Sequence, residues 1–244
     1  YFLANDDEEA YRLSRYHEAL KDIWGGPFNS PVEEKLRQGA RVIDIGCGTG
    51  IWILDMAQQY PNSKFVGIDI SPIQPTENLP PNVKFIQYNV LDGLPYEDSS
   101  FDFVHEQFMV AAFTESQWEE KVIPEMIRIA RPDGWVESLE ADLITSGGST
   151  TKRVQKFIHN FMISKGMNPI VGKEIPRIFE STNAFSEIKT QQKTINLGKK
   201  YGESSEESLK FYIRGLNSVR GFIVTSMNIM PEHYDALVET ISRE

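Results

Sequence analysis

Apolar residues along this chain fall into two alternating rhythms. Near-continuous apolar runs occupy 41–45, 64–70, 83–89, 101–107 and 134–140, the pattern of strands covered on both faces. Between them, 50–60 and 116–130 carry helical spacing, and a poorly defined short helical segment lies near 72–79. Such alternation predicts an α/β fold with a mostly parallel twisted sheet and helices on both faces. Upstream, Asn5 to Trp24 predicts a helix. Asn5 suits the cap, the acids Asp6 to Glu9 suit the positive end of the dipole, and Ala10, Leu13, Tyr16, His17, Leu20 and Trp24 recur on one face. Gly25-Gly26-Pro27 ends it. Pro124 predicts a kink or an internal start in the third helix, and Arg131-Pro132-Asp133-Gly134 predicts a turn into the fifth strand.

Past Ala141 the rhythm changes. Ser146-Gly147-Gly148-Ser149-Thr150 reads as a flexible join. Residues 151–165 are amphipathic, with Val154, Phe157, Ile158, Phe161 and Met162 on one face. A short helix is expected over 173–182, a strand over 185–197, and helices over about 205–229 and 231–243, divided at Pro231.

Composition narrows the classes. The 244 residues are 40% hydrophobic and 25% charged, ordinary for one large domain or a domain with an appended lid. The net charge of −10 and the absence of a Lys/Arg run argue against a nucleic-acid partner. No apolar run approaches the roughly 20 residues of a membrane helix, and no signal peptide is visible. The single cysteine, Cys47, excludes an intrachain disulfide and points to a reducing compartment. A cytoplasmic or nuclear protein without a membrane partner is the expectation. His159 and His233 have no cysteine or carboxylate at ligand spacing, so no metal is expected.

The chemistry concentrates at Arg41-Val42-Ile43-Asp44-Ile45-Gly46-Cys47-Gly48-Thr49-Gly50, a strand ending in an acid, then a glycine turn, then a helix. Glycines there permit a tight turn and close approach of a ligand to main chain. The spacing is G-x-G-x-G, whereas the dinucleotide fingerprint G-x-G-x-x-G would need its third glycine at Ile51. Lys64 to Ile70 is a second apolar run closing in Asp69. About 20 residues past a glycine loop is where nucleotide-binding α/β folds place a carboxylate on the ribose hydroxyls. The plain alternative is an acid capping the next turn at Ser71-Pro72.

These features resemble motif I and the second strand of class I S-adenosylmethionine (SAM) dependent methyltransferases. The resemblance extends over most of residues 1–200. Val83 to Val90 with Leu94-Pro95-Tyr96 is similar to that family's third-strand motif, with Asn89 where an aspartate is usual. Ser99 to His105 is similar to its fourth strand, and Arg131-Pro132-Asp133-Gly134-Trp135 to its K/R-P-G-G-x turn, with Asp133 replacing a glycine. Tyr1-Phe2-Leu3, Asn5-Asp6, Gly50-Ile51-Trp52 and Ile70 to Pro75 resemble fungal methyltransferases linked to secondary metabolism and its regulation.

The resemblance implies a Rossmann-like class I methyltransferase with a helical lid. It divides the chain into an N-terminal helical cap (1–30), a SAM-binding core (31–141), a helical lid insertion (142–184), and a C-terminal strand and helices completing the core (185–244). It implies SAM as cofactor and S-adenosylhomocysteine as product. Main-chain groups of Gly46, Cys47 and Gly48 would hold the amino-acid part, Asp44 its ammonium through water, and Asp69 the ribose. Ile70 would cover the adenine, whose edge Asn89 and Val90 would read. His105 lies under the donor sulfur in this reading, as a cofactor contact and the candidate base; the alternative is that it offers only backbone contacts, its imidazole packing against the lid. Glu106 and Glu140 are further proton acceptors, or caps. Arg12 or His17 on the first helix would meet the donor carboxylate, the alternative being a surface arginine and a half-buried histidine. Met109, Phe113, Phe161 and Met162 are candidates for an adaptable acceptor pocket; residues of that type at helical spacing also build plain core.

The reaction implied is methyl transfer to O, N or C of a small-molecule acceptor. The rivals are a SAM-binding regulator or protein methyltransferase acting through a protein partner, and an NAD-dependent oxidoreductase, which the glycine spacing disfavours. The fold normally ends in an antiparallel seventh strand. Only helices are expected after 197, so that strand is expected to be missing from this sequence, with helix rather than strand over 230–244.

Overall fold

The computed structural model describes residues 7–142 and 147–244, with side chains described from Arg15 onward. The resemblance at residues 1–6 and part of the expected join at 146–150 lie outside that set, as do the side chains of Tyr11 and Arg12. The chain divides into a sheet unit, 27–143 with 162–191, and a helical unit, 1–26 with 144–161 and 192–244.

Helix α1 (Asp7–Trp24) belongs to the helical unit. The sheet unit runs α2 (Glu33–Gln38), β1 (Arg41–Ile45), α3 (Ile51–Gln59), β2 (Lys64–Asp69), β3 (Val83–Gln87) and β4 (Phe101–Gln107). A helical stretch follows in three parts: α4 (Glu115–Gln117), a π-helical turn (Trp118–Val122) and α5 (Ile123–Ile129). β5 (Ala130–Leu139) completes the sheet. Every neighbouring pair is parallel, in the order β3-β2-β1-β4-β5. The order reverses between β1 and β4, and open α/β sheets bind ligands at the carboxyl ends of strands beside such a reversal. This is the Rossmann-like architecture the alternation predicts.

The sheet is covered on both faces. On one, Val42, Phe65 and Phe103 pack with Trp52 and Met56 of α3 and Leu36 of α2. On the other, Ile43, Ile68 and Val104 pack with Trp118, Met126 and Ile129 and with Val171 and Ile178 of α7 (Val171–Ser181). Such burial, at about 25 cal/mol per Å² of apolar surface, is the main force holding the layers. Two polar staples fix the rims. Arg128 donates to Tyr96 O, Leu94 O, Asp98 and Glu125, tying down the 94–98 loop. Asp102 accepts from Arg41 N (2.8 Å) and Arg131 (2.6 Å) at the opposite end of the sheet from the glycine loop.

Several elements depart from the sequence reading. β5 starts at Ala130, because the expected turn is a bulge inside the strand: Phe101 pairs with Ala130 and Phe103 with Trp135, leaving 131–134 looped out. The 72–79 helix is not formed; Pro72, Pro75 and a left-handed Asn78 (φ 55°) break it. The kink expected at Pro124 is a π turn directly upstream, which absorbs the missing donor. No strand forms over 185–197. Strands need a partner for their ladder, and this segment has none; Phe185 and Ile188 instead pack onto the core, and Lys189 lies over the Trp135 ring at 5.4 Å.

In the helical unit, α6 (Ser149–Ser164) runs up to Phe161 before passing into the sheet unit. The rest is α8 (Glu203–Ser218), α9 (Arg220–Met227) and α10 (Pro231–Arg243). The single helix expected over 205–229 breaks at Val219 (φ −101°, ψ 10°). Val154, Leu216 and Ile241 form its core, the buried Tyr234 donates to Leu216 O at 2.6 Å, and Tyr16 of α1 stacks on Phe211 of α8 at 3.7 Å. Residues 231–243 are helical, as expected, and among the described residues the sheet has five strands.

Candidate functional site

The carboxyl ends of β1, β2 and β4 bring the candidate residues together. After β1 the chain turns through Gly46, Gly48 and Gly50, all at positive φ (73°, 54° and 76°), and enters α3. Gly46 has no room for a Cβ, since the Met109 sulfur lies 2.2 Å from where one would sit; Gly48 faces open space. The loop is therefore packed on one side and open on the other, as a ligand cradle must be.

Its amides are already engaged. Gly46 N and Cys47 N both donate to Ile68 O (2.8 and 3.0 Å), and Gly48 N donates to Asp69 Oδ2 (2.9 Å). The N–H groups of Gly46, Cys47 and Gly48 are thus taken up inside the protein. They fasten the loop to β2, Cys47 O accepts from Gly50 N (2.8 Å), and the Gly48 side of the loop stays open. Asp69 is buried at the end of β2 and also accepts from Ser71 N (2.8 Å). The capping role set against the ribose role is real, and the carboxylate is rigidly aimed by it. Beyond it, Ile70 is 57% exposed, its carbonyl held by Gln87 Nε2 at 3.0 Å. Asn89 Oδ1 accepts from Leu91 N (3.1 Å), capping a short 3-10 turn over Val90–Asp92, and Val90 is buried.

Asp44 and His105 face each other in register across β1 and β4. His105 Nδ1 lies 2.7 Å from Asp44 Oδ1, and both side chains are buried. The imidazole stacks flat on Trp52, centroids 3.9 Å apart and planes parallel, while the indole N–H donates to Pro27 O (2.7 Å). A general base needs a path to the proton it takes; at 1% exposure with one nitrogen committed to Asp44, His105 is placed to orient that carboxylate. Cys47 is buried, and burial pushes its thiol far up, reinforced by Asp44 and Asp69, so it is not a nucleophile.

Met109 packs on the glycine loop. Phe113 meets Trp118 edge to face at 5.2 Å, as plain core. Met162 is buried in the sheet unit, and Phe161, in the helical unit, packs on Phe222 at 4.0 Å. Glu140 is a cap, accepting from Met109 N (2.5 Å) and Val110 N (3.0 Å). Glu106 is wholly buried and accepts from the Ser138 hydroxyl. Sequence reasoning missed Trp52 as the platform under His105; an aromatic in the first turn after the glycine loop was the available signal. It also missed Glu137, which accepts from Asn29 N, Ser30 N and Ser30 Oγ and anchors the segment before α2.

The topology and glycine loop define a nucleotide-type ligand site at the reversal of a Rossmann-like sheet. Residues 42–134 match the family model described as a methyltransferase domain, and the chain as a whole is similar to fungal methyltransferases and to regulators of fungal secondary metabolism. It is 29% identical over 79% of its length to "Methyltransferase str3" of Strobilurus tenacellus, covering 69% of that protein. It is 24% identical over its whole length to "N-methyltransferase gliN" of Aspergillus fumigatus, covering 90% of it. It is also 32% identical over 58% of its length to "Secondary metabolism regulator laeA" of Coprinopsis cinerea, covering 36% of it.

Proposed function

We propose that this chain transfers a methyl group from SAM to a nucleophilic atom of a small-molecule acceptor, with nitrogen the first acceptor atom to test. Bound SAM supplies an electrophilic methyl on a sulfonium, released by in-line displacement. The observation that carries the reading is the fixed Asp69 carboxylate beside a glycine loop whose Gly48 side opens to space. In this reading Asp69 accepts from the ribose hydroxyls, and exposed Ile70 covers the adenine face. Asn89 and Val90 border its edge. Since Asn89 Oδ1 already caps Leu91, the Asn89 amide N–H groups and the second lone pair of that oxygen are its means of contact. Asp44, oriented by His105, takes the ammonium. Met109 closes the loop side near the reacting carbon. Positioning in a site shielded from water supplies most of the acceleration. No side chain is assigned as base; an amine acceptor that arrives neutral needs none.

A second reading, a SAM-binding regulator acting on a protein, is supported by the likeness to the laeA regulator. Calorimetry with S-adenosylhomocysteine, SAM and NAD, followed by methylation assays on small amines and on protein extracts, separates the readings. Tight binding of the first two with turnover of small amines is expected. Binding with turnover only of protein favours the regulator, and stabilisation by NAD alone overturns both.

A further inference from the structure

Glu106 follows His105 on β4 and points to the opposite face of the sheet. Its Oε1 accepts from Ser138 Oγ of β5, and its Oε2 is buried with no conventional donor. Glu140, just past β5, interacts with Glu106 and is half-buried, its oxygens turned inward to Met109 N and Val110 N. No lysine, arginine or histidine lies within ion-pair distance of either carboxyl among the described residues. From β1, Asp44 adds negative potential at Glu106. From α7, Gly172 abuts the Glu140 Cβ, Lys173 is engaged by Asp142 at 3.0 Å, and Arg177 is held by Glu174 and Glu119. Two touching carboxylates cannot both stay ionised in such a place. Burial pushes both carboxyls up; Glu140 raises Glu106 further, while the hydrogen bond from Glu106 and the Met109 and Val110 amides restrain the rise of Glu140.

The loop they hold is strained. Phe108 sits at φ 57°, which costs a non-glycine residue on the order of 1 kcal/mol or more. The next residue, Met109, is the one packed on Gly46 of the glycine loop. We propose that Glu106 and Glu140 share a single proton, Glu106 being the acid that donates to Glu140, and that this pair is a positioning device: it fixes the 108–110 loop and through Met109 the shape of the donor site. The consequence for donor binding rests on the donor-site reading above; the shared proton does not.

Infrared titration of the intact chain reads the proton directly. A protonated-carboxyl band persisting at about pH 8 and absent from Glu106→Gln is expected. S-adenosylhomocysteine calorimetry reads the consequence. Wild-type affinity falls about tenfold as pH rises from about 7 to 10, while Glu106→Gln, whose amide still donates to Glu140 but cannot ionise, holds within about twofold across that range. Glu106→Ala weakens binding at every pH, since the donor to Glu140 is gone. A wild-type spectrum without the band, which needs no variant to fold, overturns the proposal. So does a Glu106→Gln protein as pH-sensitive as wild type. A band present in a protein that binds S-adenosylhomocysteine at no pH supports the shared proton and overturns the donor-site reading instead.

Discussion

His105 and Glu106 are neighbours on one strand, and each carries a buried ionisable pair to a different face of the sheet. His105 meets an acid, Asp44, across β1. Glu106 meets another acid, Glu140, beyond β5. The first pair joins complementary partners on a flat aromatic platform. The second joins like partners and is tolerable only while a proton is retained between them. Adjacent in sequence but on opposite faces, they show how the two-residue period of a strand hands one face a self-sufficient contact and the other a conditional one.

Breaking the complementary pair is the largest effect expected. Asp44→Ala leaves His105 buried against Trp52 without its acceptor, at a cost of about 3–5 kcal/mol. Urea unfolding checks it. The double variant Asp44→Leu with His105→Phe removes both polar partners and recovers most of that loss, because an apolar pair strands nothing. A double variant no more stable than Asp44→Ala would show that the pair is not a unit. Next in size is the platform: Trp52→Phe keeps a ring under His105 but removes the bond to Pro27 O and some volume, costing about 1–2 kcal/mol by the same assay.

The sequence announced one of these pairs better than the other. Strand positions followed from apolar runs, and β1, β2, β3 and β4 begin where 41–45, 64–70, 83–89 and 101–107 predict. The glycine loop and Asp69 were legible because turn geometry and a carboxylate at a strand end leave local signatures. What failed depends on partners far away in sequence. The 185–197 segment has the residues of a strand but no neighbour to pair with. Asn89 was read by its chemistry, yet its oxygen is claimed by Leu91 two residues on. His105 was legible as a candidate base or as a packing imidazole with backbone contacts, but nothing local showed that Asp44 would lie opposite it in register. The Glu106–Glu140 contact, 34 residues apart in the chain, depends on the bulge at 131–134 that resets β5 against β4.

The conditional pair predicts a pH signature of definite sign. Both carboxyls are raised in the folded chain, so the native state holds protons that the unfolded chain releases near the ordinary value of 4.5. Their contribution to stability is complete below that value. It declines as pH rises through the raised folded values, about 7 for Glu140, at up to about 1.4 kcal/mol per pH unit per proton. Glu106→Leu removes the upper part of this decline, so thermal melts of variant and wild type converge or cross as pH rises above about 8. Parallel curves would mean that Glu106 ionises freely in the folded protein.

The smallest effect comes from an acid that has what Glu106 lacks, a cation beside it. Glu125 binds Arg128 through two hydrogen bonds (2.8 Å each) and accepts from Leu94 N (2.6 Å). Arg128 first, and the Leu94 amide after it, hold its carboxyl below the ordinary 4.5 despite partial burial. The sign is therefore opposite to that of Glu106: its stabilisation is present above 4.5 and is lost as pH falls through the lowered folded value. Glu125→Gln keeps an acceptor but loses the charge, costing about 1 kcal/mol at neutral pH, with the difference from wild type vanishing below about pH 3. Melting curves across that range decide it. A cost that persists at low pH would mean the 94–98 loop depends on the shape of the side chain at 125, and that the contrast between paired and unpaired acids in this sheet unit is narrower than the geometry implies.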